Sequence, residues 1–499
     1  MIFLENGLKI LLVSDPTTDK AAAAMDVNVG HMSDPWELPG LAHFLEHMLF
    51  LGTDKYPDEN SYSQYISQHG GSNNAYTASD HTNYYFDITP EFLPEALDRF
   101  SQFFLTPLFT ESATDREVQA VNSENEKNLA SDPWRQQQLE RSLSKKGHDY
   151  GKFGTGNSET LNDLPKTQGI DVREELLKFH KKYYSSNIMA LAVVGNQSLD
   201  ELETLVQDRF INVENKNVTP SIWTDHPYDP AENGGTITHV VPIKDIRSLN
   251  LTFPIPDYQE HYTKKPVSYV SHLIGHEGKG SLLSELKNLG YVNNLVAGLS
   301  SGSKGFDFFI VNVDLTEKGL EHIDDIIQLV FQYFNMLRKD GVHEWVHTET
   351  KKINDMLFRF KDKESPMSYA TNLASSLRDY PLEEVLTGPW TMKEFRPDLV
   401  QDVLNRLTPQ NVYVLAVAKT FEDKANLEEK WYGTKYCSEK IPAEKLESWS
   451  NAPLHENLNL PGPNEFIPSE FDLAKRDTTI NHLGANVPSI IKVRHTYMP

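Results

Sequence analysis

The stretch Gly40-Leu41-Ala42-His43-Phe44-Leu45-Glu46-His47-Met48-Leu49-Phe50 contains the pattern H-x-x-E-H. Residues at i and i+4 share one face of a helix, so His43 and His47 can both reach one metal ion. A catalytic zinc ion takes three N or O ligands and keeps a fourth position open for water. Glu46 lies beside this face, where its carboxylate can take a proton from that water. The stretch therefore predicts a helix with two metal ligands and a general base.

A third ligand has to come from another segment, and Thr114 to Lys127 is a candidate because it is rich in helix formers. Glu117 and Glu124 are seven positions apart in it and lie on one helical face. A carboxylate on a mostly small, apolar face could complete the metal site. Two ordinary surface glutamates would give the same spacing. Spacing alone leaves both alternatives open.

Two further histidine pairs have the i, i+4 spacing. His343-Glu344-Trp345-Val346-His347 has the zincin pattern H-E-x-x-H, and His272 and His276 form the other pair. The helix predicted after His343 is rich in exposed charges and offers no obvious third ligand. The pair at His272 has no acid in the proper place. We therefore expect surface or partly buried histidines at both positions.

The composition narrows the functional class. The 499 residues include 47 basic and 71 acidic side chains, a net charge of −24, and one cysteine, Cys437. One cysteine excludes an intramolecular disulfide scaffold and a thiolate zinc ribbon, and it fits a reducing compartment. The negative charge argues against a general nucleic-acid binder. It is compatible with cationic peptides, although plain solubility is the simpler explanation of this charge.

The N-terminal residues lack the basic start and apolar run of a secretory signal, and no apolar run is long enough to cross a bilayer. We expect a soluble cytoplasmic protein without a membrane partner. Strand-like and helical patterns alternate along the chain, which predicts an α/β or α+β fold. Segments of helix, turn and strand around Asn187 and Asn411 repeat at a distance of 224 residues. This repeat predicts two homologous domains, with a linker near 213–235.

Several stretches carry a family resemblance. They are H-x-x-E-H followed by Met48 to Thr53, then 70–75, 81–86, 152–157, 183–187, 242–247 and 358–363. In these the chain resembles the inverzincin metallopeptidases of the insulysin–pitrilysin family, from Leu4 to about Lys492. The resemblance implies an α+β fold with two homologous α/β domains, each a mainly antiparallel sheet packed with helices. We expect a catalytic domain at 1–220, a second domain without metal at 221–450 and an irregular tail at 451–499.

The resemblance also implies a site and a reaction. It implies one Zn²⁺ per chain on His43, His47 and Glu124, with Glu46 as general base and Glu117 as a supporting residue that does not ligate zinc. The implied substrate-binding residues are Phe50, Asn74, Ala75, Tyr76 and Trp134, and the implied exosite for a substrate N-terminus comprises His272, Gly275, Glu277 and Leu295. The expected activity is zinc-dependent hydrolysis of short peptides of the insulin or amyloid type.

Departures from the family pattern qualify these expectations. Ser268 and Ser271 stand where His and Gly are familiar, and Ala297 where Gly is. The family has a second half that closes a chamber and supplies an arginine and a tyrosine near the zinc. Without it we expect weak activity, and partners that include a complementary second half or a second copy of the chain. The alternative is a non-catalytic, zinc-bearing protein that binds peptides or regulates a partner.

Overall fold

The computed structural model describes residues 1–472. Residues Met1–Pro463 form one compact unit, and a second unit begins at Asn464. Residues 464–472 of the second unit contain no helix or strand, and the predicted tail beyond residue 472 lies outside the described residues. Within residues 1–472, no helix combines the length and the apolar character that a bilayer crossing requires.

The strands are β1 (Ile2–Phe3), β2 (Lys9–Ser14), β3 (Ala21–Val27), β4 (Ser72–Thr77), β5 (Thr82–Ile88), β6 (Met189–Gly195), β7 (Thr236–Val240), β8 (Ser248–Pro256), β9 (Val292–Ser303), β10 (Phe306–Leu315), β11 (Tyr413–Val417), β12 (Leu427–Glu428) and β13 (Lys435–Lys440). The α-helices are α1 (Leu41–Leu49), α2 (Ser61–Gln68), α3 (Leu93–Leu105), α4 (Glu111–Asn128), α5 (Asp132–Ser142), α6 (Leu164–Gln168), α7 (Val172–Tyr183), α8 (Leu199–Phe210), α9 (Pro266–Ile274), α10 (Leu282–Asn288), α11 (Glu317–Glu321), α12 (Ile323–Asp340), α13 (Glu344–Arg359), α14 (Pro366–Asp379), α15 (Pro397–Arg406) and α16 (Ala443–Ser450).

The strands form two sheets of the same design. The first has the order β1-β2-β6-β3-β5-β4 and the second β12-β13-β7-β11-β8-β10-β9. Each contains one parallel pair, β2 with β6 and β7 with β11, and the other pairs are antiparallel. Leu191 pairs with Met25 in the first sheet and Leu415 pairs with Asn250 in the second, so the predicted 224-residue repeat joins equivalent strands. The predicted fold class is confirmed, whereas the domain boundaries stay predictions.

Both faces of the first sheet are covered, by helices from different parts of the chain. One face packs on α1, α3 and α7 through an aromatic-rich core. The other face is lined by small side chains, Ala22, Ala24, Ala190 and Ala192, against which α14 packs. Small residues allow a helix backbone to approach a sheet closely. Helix α14 follows β7 to β10 of the second sheet in the chain, yet it covers the second face of the first sheet.

Candidate metal centre

The N-terminus of α1 is fixed by a buried carboxylate and a glycine. Asp34 accepts hydrogen bonds from the backbone N–H groups of Gly40 and Ala42, both at 2.8 Å. Gly40 has φ +93°, and a Cβ there would lie 2.3 Å from the Cα of Gly156. Most of the other side chains of α1 are buried, so its histidines are left on the face that is only partly covered.

The structure brings His43, His47 and Glu124 together. One ligand atom from each lies within 4.8 Å of the other two, and this is the one such group of His, Cys, Asp or Glu within residues 1–472. Glu124 Oε2 is 3.6 Å from His43 Nε2 and 3.5 Å from His47 Nε2. Glu124 comes from α4, which packs against α1. Two imidazole nitrogens and a carboxylate form the donor set of a catalytic zinc site.

The second nitrogen of each imidazole has its own partner. His43 Nδ1 donates to the carbonyl oxygen of Thr155 at 2.7 Å, and His47 Nδ1 donates to Glu117 Oε1 at 2.7 Å. These contacts orient both rings with Nε2 toward Glu124. Hydrogen bonds of this kind fix the tautomer of metal-ligating histidines. The residues present therefore fit a metal ion.

The charges of the site favour a cation. Burial disfavours the charged form of His47, but its hydrogen bonds to Glu117 and Glu124 and the charge of Glu46 outweigh burial and raise the pKa of His47 to about 10. The hydrogen bond with His47 lowers the pKa of Glu124. Both shifts reflect an excess of carboxylates around two imidazoles, which a bound metal would neutralise.

Glu46 lies next to the three ligands at the base of a cleft. Its side chain is buried, and one oxygen accepts a hydrogen bond from the hydroxyl of Thr77, the last residue of β4. The cleft has a volume of about 600 Å³. Asn74, Ala75 and Tyr76 of β4 form one wall of it. Within the described residues, β4 is an edge strand of the first sheet, so its outer edge is open to pairing.

Comparisons with known proteins agree with this arrangement. A family model described as "Insulinase (Peptidase family M16)" matches residues 9–147. Models for the inactive domain and for the middle or third domain of the same family match residues 171–354 and 358–497. The chain belongs to the M16 peptidase family. Membership in this family of metallopeptidases implies a metal cofactor.

M16 relatives resemble the chain over nearly its full length. The insulin-degrading enzyme of Drosophila melanogaster is 54% identical over 94% of this chain and 48% of the relative. The insulin-degrading enzyme of Homo sapiens is 56% identical over 94% of this chain and 46% of the relative. The crystal structure of pitrilysin superposes with a TM-score of 0.90 at 32% identity, covering 94% of this chain and 50% of pitrilysin. The chain thus spans about half the length of these M16 relatives.

The two aromatic residues expected at the cleft of this M16 chain lie in different places. Trp134, on α5, lines the cleft and is 41% exposed. Phe50 does not line it. The ring of Phe50 packs in the core of the first sheet, with ring centroids 5.1 Å from Phe103 and 5.7 Å from Tyr62. Phe50 follows the last residue of α1, where the chain turns away from the histidine face toward this aromatic cluster.

The four residues expected at an exosite line a second, separate cleft. His272, Gly275, Glu277 and Leu295 surround a volume of about 800 Å³ between α9, β9 and α13. His272 Nε2 is 3.2 Å from Glu349 Oε1. Their role in binding a peptide stays a prediction.

The motif at 343–347 has no metal-site geometry. His343 precedes the first residue of α13 and contacts Asp340 through Nε2 at 2.8 Å. His347 is buried and packs against Phe395, with ring centroids 5.4 Å apart. The two histidines thus have structural partners on different sides of the start of α13.

Sequence reasoning missed several residues of the cleft. Arg141 and His31 line it, and Arg141 Nη1 donates to His31 Nε2 at 2.6 Å. Burial, together with the Arg141 charge, lowers the pKa of His31 well below its usual value, so His31 is a neutral acceptor. Tyr432 reaches the cleft from the second sheet, and its hydroxyl is 3.3 Å from Thr155 Oγ1. The only sequence signal for this part of the cleft was the family resemblance of the stretch 152–157, which contains Thr155.

Proposed function

We propose that the chain is a zinc-dependent endopeptidase that hydrolyses short peptides, of the insulin or amyloid type. His43, His47 and Glu124 would hold the zinc, and Glu46 would act as general base. The observation that carries this proposal is the convergence of two imidazole nitrogens and one carboxylate oxygen beside the buried carboxylate of Glu46.

Each residue of the site has a task in this reaction. Zinc, when bound, polarises the scissile carbonyl and acidifies a water molecule. Glu46 accepts the proton of the attacking water and delivers it to the leaving amine. Thr77 holds one oxygen of Glu46 by its hydrogen bond and leaves the other for that proton. Glu117 keeps His47 in the tautomer whose Nε2 is a ligand.

The open edge of β4 supports a mode of substrate binding. An extended peptide that adds to this edge would form main-chain hydrogen bonds with residues 74–76, immediately before Thr77. Trp134 on α5 would cover the peptide from the opposite wall. This pairing would hold a peptide bond near Glu46 without strict sequence specificity, because backbone groups supply the affinity.

Two further proposals concern the setting of the enzyme. Since the relatives are about twice as long, we expect a complementary second half, or a second copy, to raise the activity of this chain. The single cysteine supports a reducing compartment such as the cytoplasm.

The substitution Glu46→Gln tests the proposal. We expect zinc content, measured by inductively coupled plasma mass spectrometry, to stay near one ion per chain. Turnover of a quenched fluorescent peptide should fall by about 10²–10⁴, because a general base contributes that much. Glu126→Gln, at an exposed position of the same helix as Glu124, serves as a matched control and should keep wild-type turnover.

A non-catalytic peptide binder is the second candidate, favoured by the half-length of the chain. It predicts zinc binding and peptide binding without turnover in either the wild type or Glu46→Gln. Turnover that Glu46→Gln leaves unchanged would contradict the assigned base. Absence of zinc from the wild type would contradict both candidates.

A further inference from the structure

Helix α5 presents one face to the metal cleft. Trp134, Gln137, Gln138 and Arg141 all line the cleft, and they stand at i, i+3, i+4 and i+7, the spacing of a single helical face. Arg141 lies in the last turn of α5. Among the described residues that line this cleft, it is the only lysine or arginine. The cleft therefore contains a cation as well as the carboxylates of the metal centre.

The guanidinium of Arg141 is held by uncharged partners. Nη1 donates to Nε2 of His31 at 2.6 Å, and Nη2 makes a long contact of 3.4 Å to Oγ of Ser79. The guanidinium also lies 5.5 Å from the centroid of the Tyr150 ring. These hydrogen bonds use two of the five N–H groups of an arginine. Within residues 1–472, no carboxylate oxygen lies within 4.0 Å of the guanidinium, and its buried Nε has no hydrogen-bond partner.

The charge of Arg141 is only partly compensated. Glu140 is the carboxylate that acts on it, but the Oε1 of Glu140 accepts a hydrogen bond from Asn250 at 3.2 Å, and burial raises the pKa of Glu140 to about 7. Near neutral pH, Glu140 therefore carries only part of a negative charge. Burial lowers the pKa of Arg141, yet an arginine stays protonated in a protein. Cations in such surroundings are normally paired, so an anion from outside the chain would be favoured here.

Arg141 has a fixed position relative to the metal ligands. The ring of His31 lies against Gly154, where a Cβ would be only 2.6 Å from a ring atom. The carbonyl oxygen of the next residue, Thr155, accepts the hydrogen bond of His43. One imidazole ring and one short loop therefore separate the guanidinium from a ligand of the metal. Such a rigid arrangement orients the cation before a substrate arrives.

The contact with Ser79 places Arg141 beside the expected path of the peptide. Ser79 follows Thr77, the partner of Glu46, by two residues, and both line the cleft next to β4. A peptide added to the edge of β4 would run along this segment. At about 3.3 Å per residue of extended chain, the guanidinium is within reach of side chains up to about three residues from the scissile bond.

We propose that Arg141 forms a subsite for an acidic side chain of the substrate, an aspartate or glutamate close to the scissile bond. The inference rests on the proposed function, because it takes the metal cleft as the place where a peptide binds. The substrate carboxylate replaces the long contact of Nη2 with Ser79 by a charge-assisted hydrogen bond. The net charge of −24 repels acidic peptides, so the overall field of the protein would not produce this preference.

The test is a set of nine-residue peptides that differ only in a central Glu, Gln or Lys, with both ends capped. Their dissociation constants are measured by fluorescence anisotropy on the full, zinc-loaded chain with Glu46→Gln, which does not depend on turnover. We expect the Glu peptide to bind about 10-fold more tightly than the Gln peptide, the usual effect of a hydrogen bond to a charged group. A Gln peptide with a free C-terminal carboxylate should bind no better than its capped form.

Substitutions at residue 141 test whether this residue causes the preference. Arg141→Gln should abolish the difference between the Glu and Gln peptides, and Arg141→Glu should favour the Lys peptide. Arg141→Lys should keep part of the preference, because the charge remains without the planar donor group. Arg116→Gln, on α4 with a side chain 60% exposed, lies outside the cleft and is the matched control. It should keep the full preference for Glu.

The outcomes separate this inference from the proposed function. Equal binding of the Glu and Gln peptides, or a preference that survives Arg141→Gln, would overturn the subsite even if the wild type cleaves the peptides. Tighter binding of the free C-terminus without a preference for Glu would overturn it as well. A preference that depends on Arg141, with no turnover of any peptide by the wild type, would support the subsite and contradict the peptidase. If melting shows that Arg141→Gln does not fold, Arg141→Lys and the wild-type peptide series decide the result.

Discussion

At the scale of single residues, local sequence spacing was enough to predict most residues of the metal site. His43, Glu46 and His47 share one helix, so the 3.6-residue period sufficed to predict that they lie together. The choice between Glu117 and Glu124 could not be made in this way, because both lie on one face of α4. The folded geometry separates them: Glu124 faces both Nε2 atoms, whereas Glu117 bonds Nδ1 of His47. His31 and Arg141 are 110 residues apart, and no sequence pattern joins them.

His180 gives a prediction for the pH dependence of stability. Its side chain is buried and Nε2 contacts the carbonyl oxygen of Phe103 at 3.0 Å. Burial lowers the pKa of His180 to about 4, while in the unfolded chain it is about 6.5. Between these values the unfolded chain binds more protons, so stability present above pH 6.5 is lost as the pH falls toward 4. Acidification from pH 7 to 5 should cost about 2 kcal/mol through this residue.

Urea unfolding of metal-free wild type and His180→Gln at pH 7, 6 and 5 measures this effect. We expect the variant to lose about 2 kcal/mol less than the wild type over the interval. Equal losses in the two proteins would show that His180 does not titrate as described.

At the scale of elements, sequence reasoning succeeded where a helix or strand is defined by its own residues. Helices α7 and α8 are defined in this way, because Asp171 and Ser198 cap amphipathic segments. β9 has no such local signal, since its sequence is rich in Asn, Gly and Ser and it is an edge strand with five of its twelve residues exposed. The docking of α14 on the first sheet was not predictable either, because it depends on contacts across more than 150 residues of chain.

α14 yields a prediction about stability. Leu377 is fully buried between this helix and the small side chains of the first sheet. Leu377→Ala should lower the free energy of unfolding by about 2–5 kcal/mol, because it leaves a cavity that a sheet cannot close. Leu386→Ala, at a position 49% exposed, should change it by less than about 0.5 kcal/mol. Chemical denaturation measures both, and a similar small effect of the two substitutions would contradict close packing of α14.

At the scale of the whole molecule, the internal repeat was readable because it joins strands of equivalent position. The contribution of the second sheet to the metal cleft could not be predicted from the sequence, since Ser301 and Tyr432 reach the cleft only through tertiary packing. Residues of both the first and the second sheet regions therefore line the cleft.

Addition of a second half tests the proposal that a complementary half raises the activity of this chain. We expect a separately produced C-terminal half of the human relative to raise peptide turnover by about 10²–10³, the usual effect of donors aimed at a developing oxyanion. The Glu46→Gln chain mixed with the same partner should remain inactive. Turnover by this chain alone at a rate that the partner does not increase would show that the half is catalytically complete.

The docking of α14 also has a consequence for biosynthesis. The last strand of the first sheet ends at Gly195, and α14 begins at Pro366, about 170 residues later. At typical translation rates, the ribosome needs roughly 10–30 s to make this interval. Throughout it, the alanine-lined face of a nearly complete sheet is without its cover. The nascent chain should therefore depend on a chaperone at this stage, and a ribosome stalled before residue 366 should present a state that is prone to aggregation.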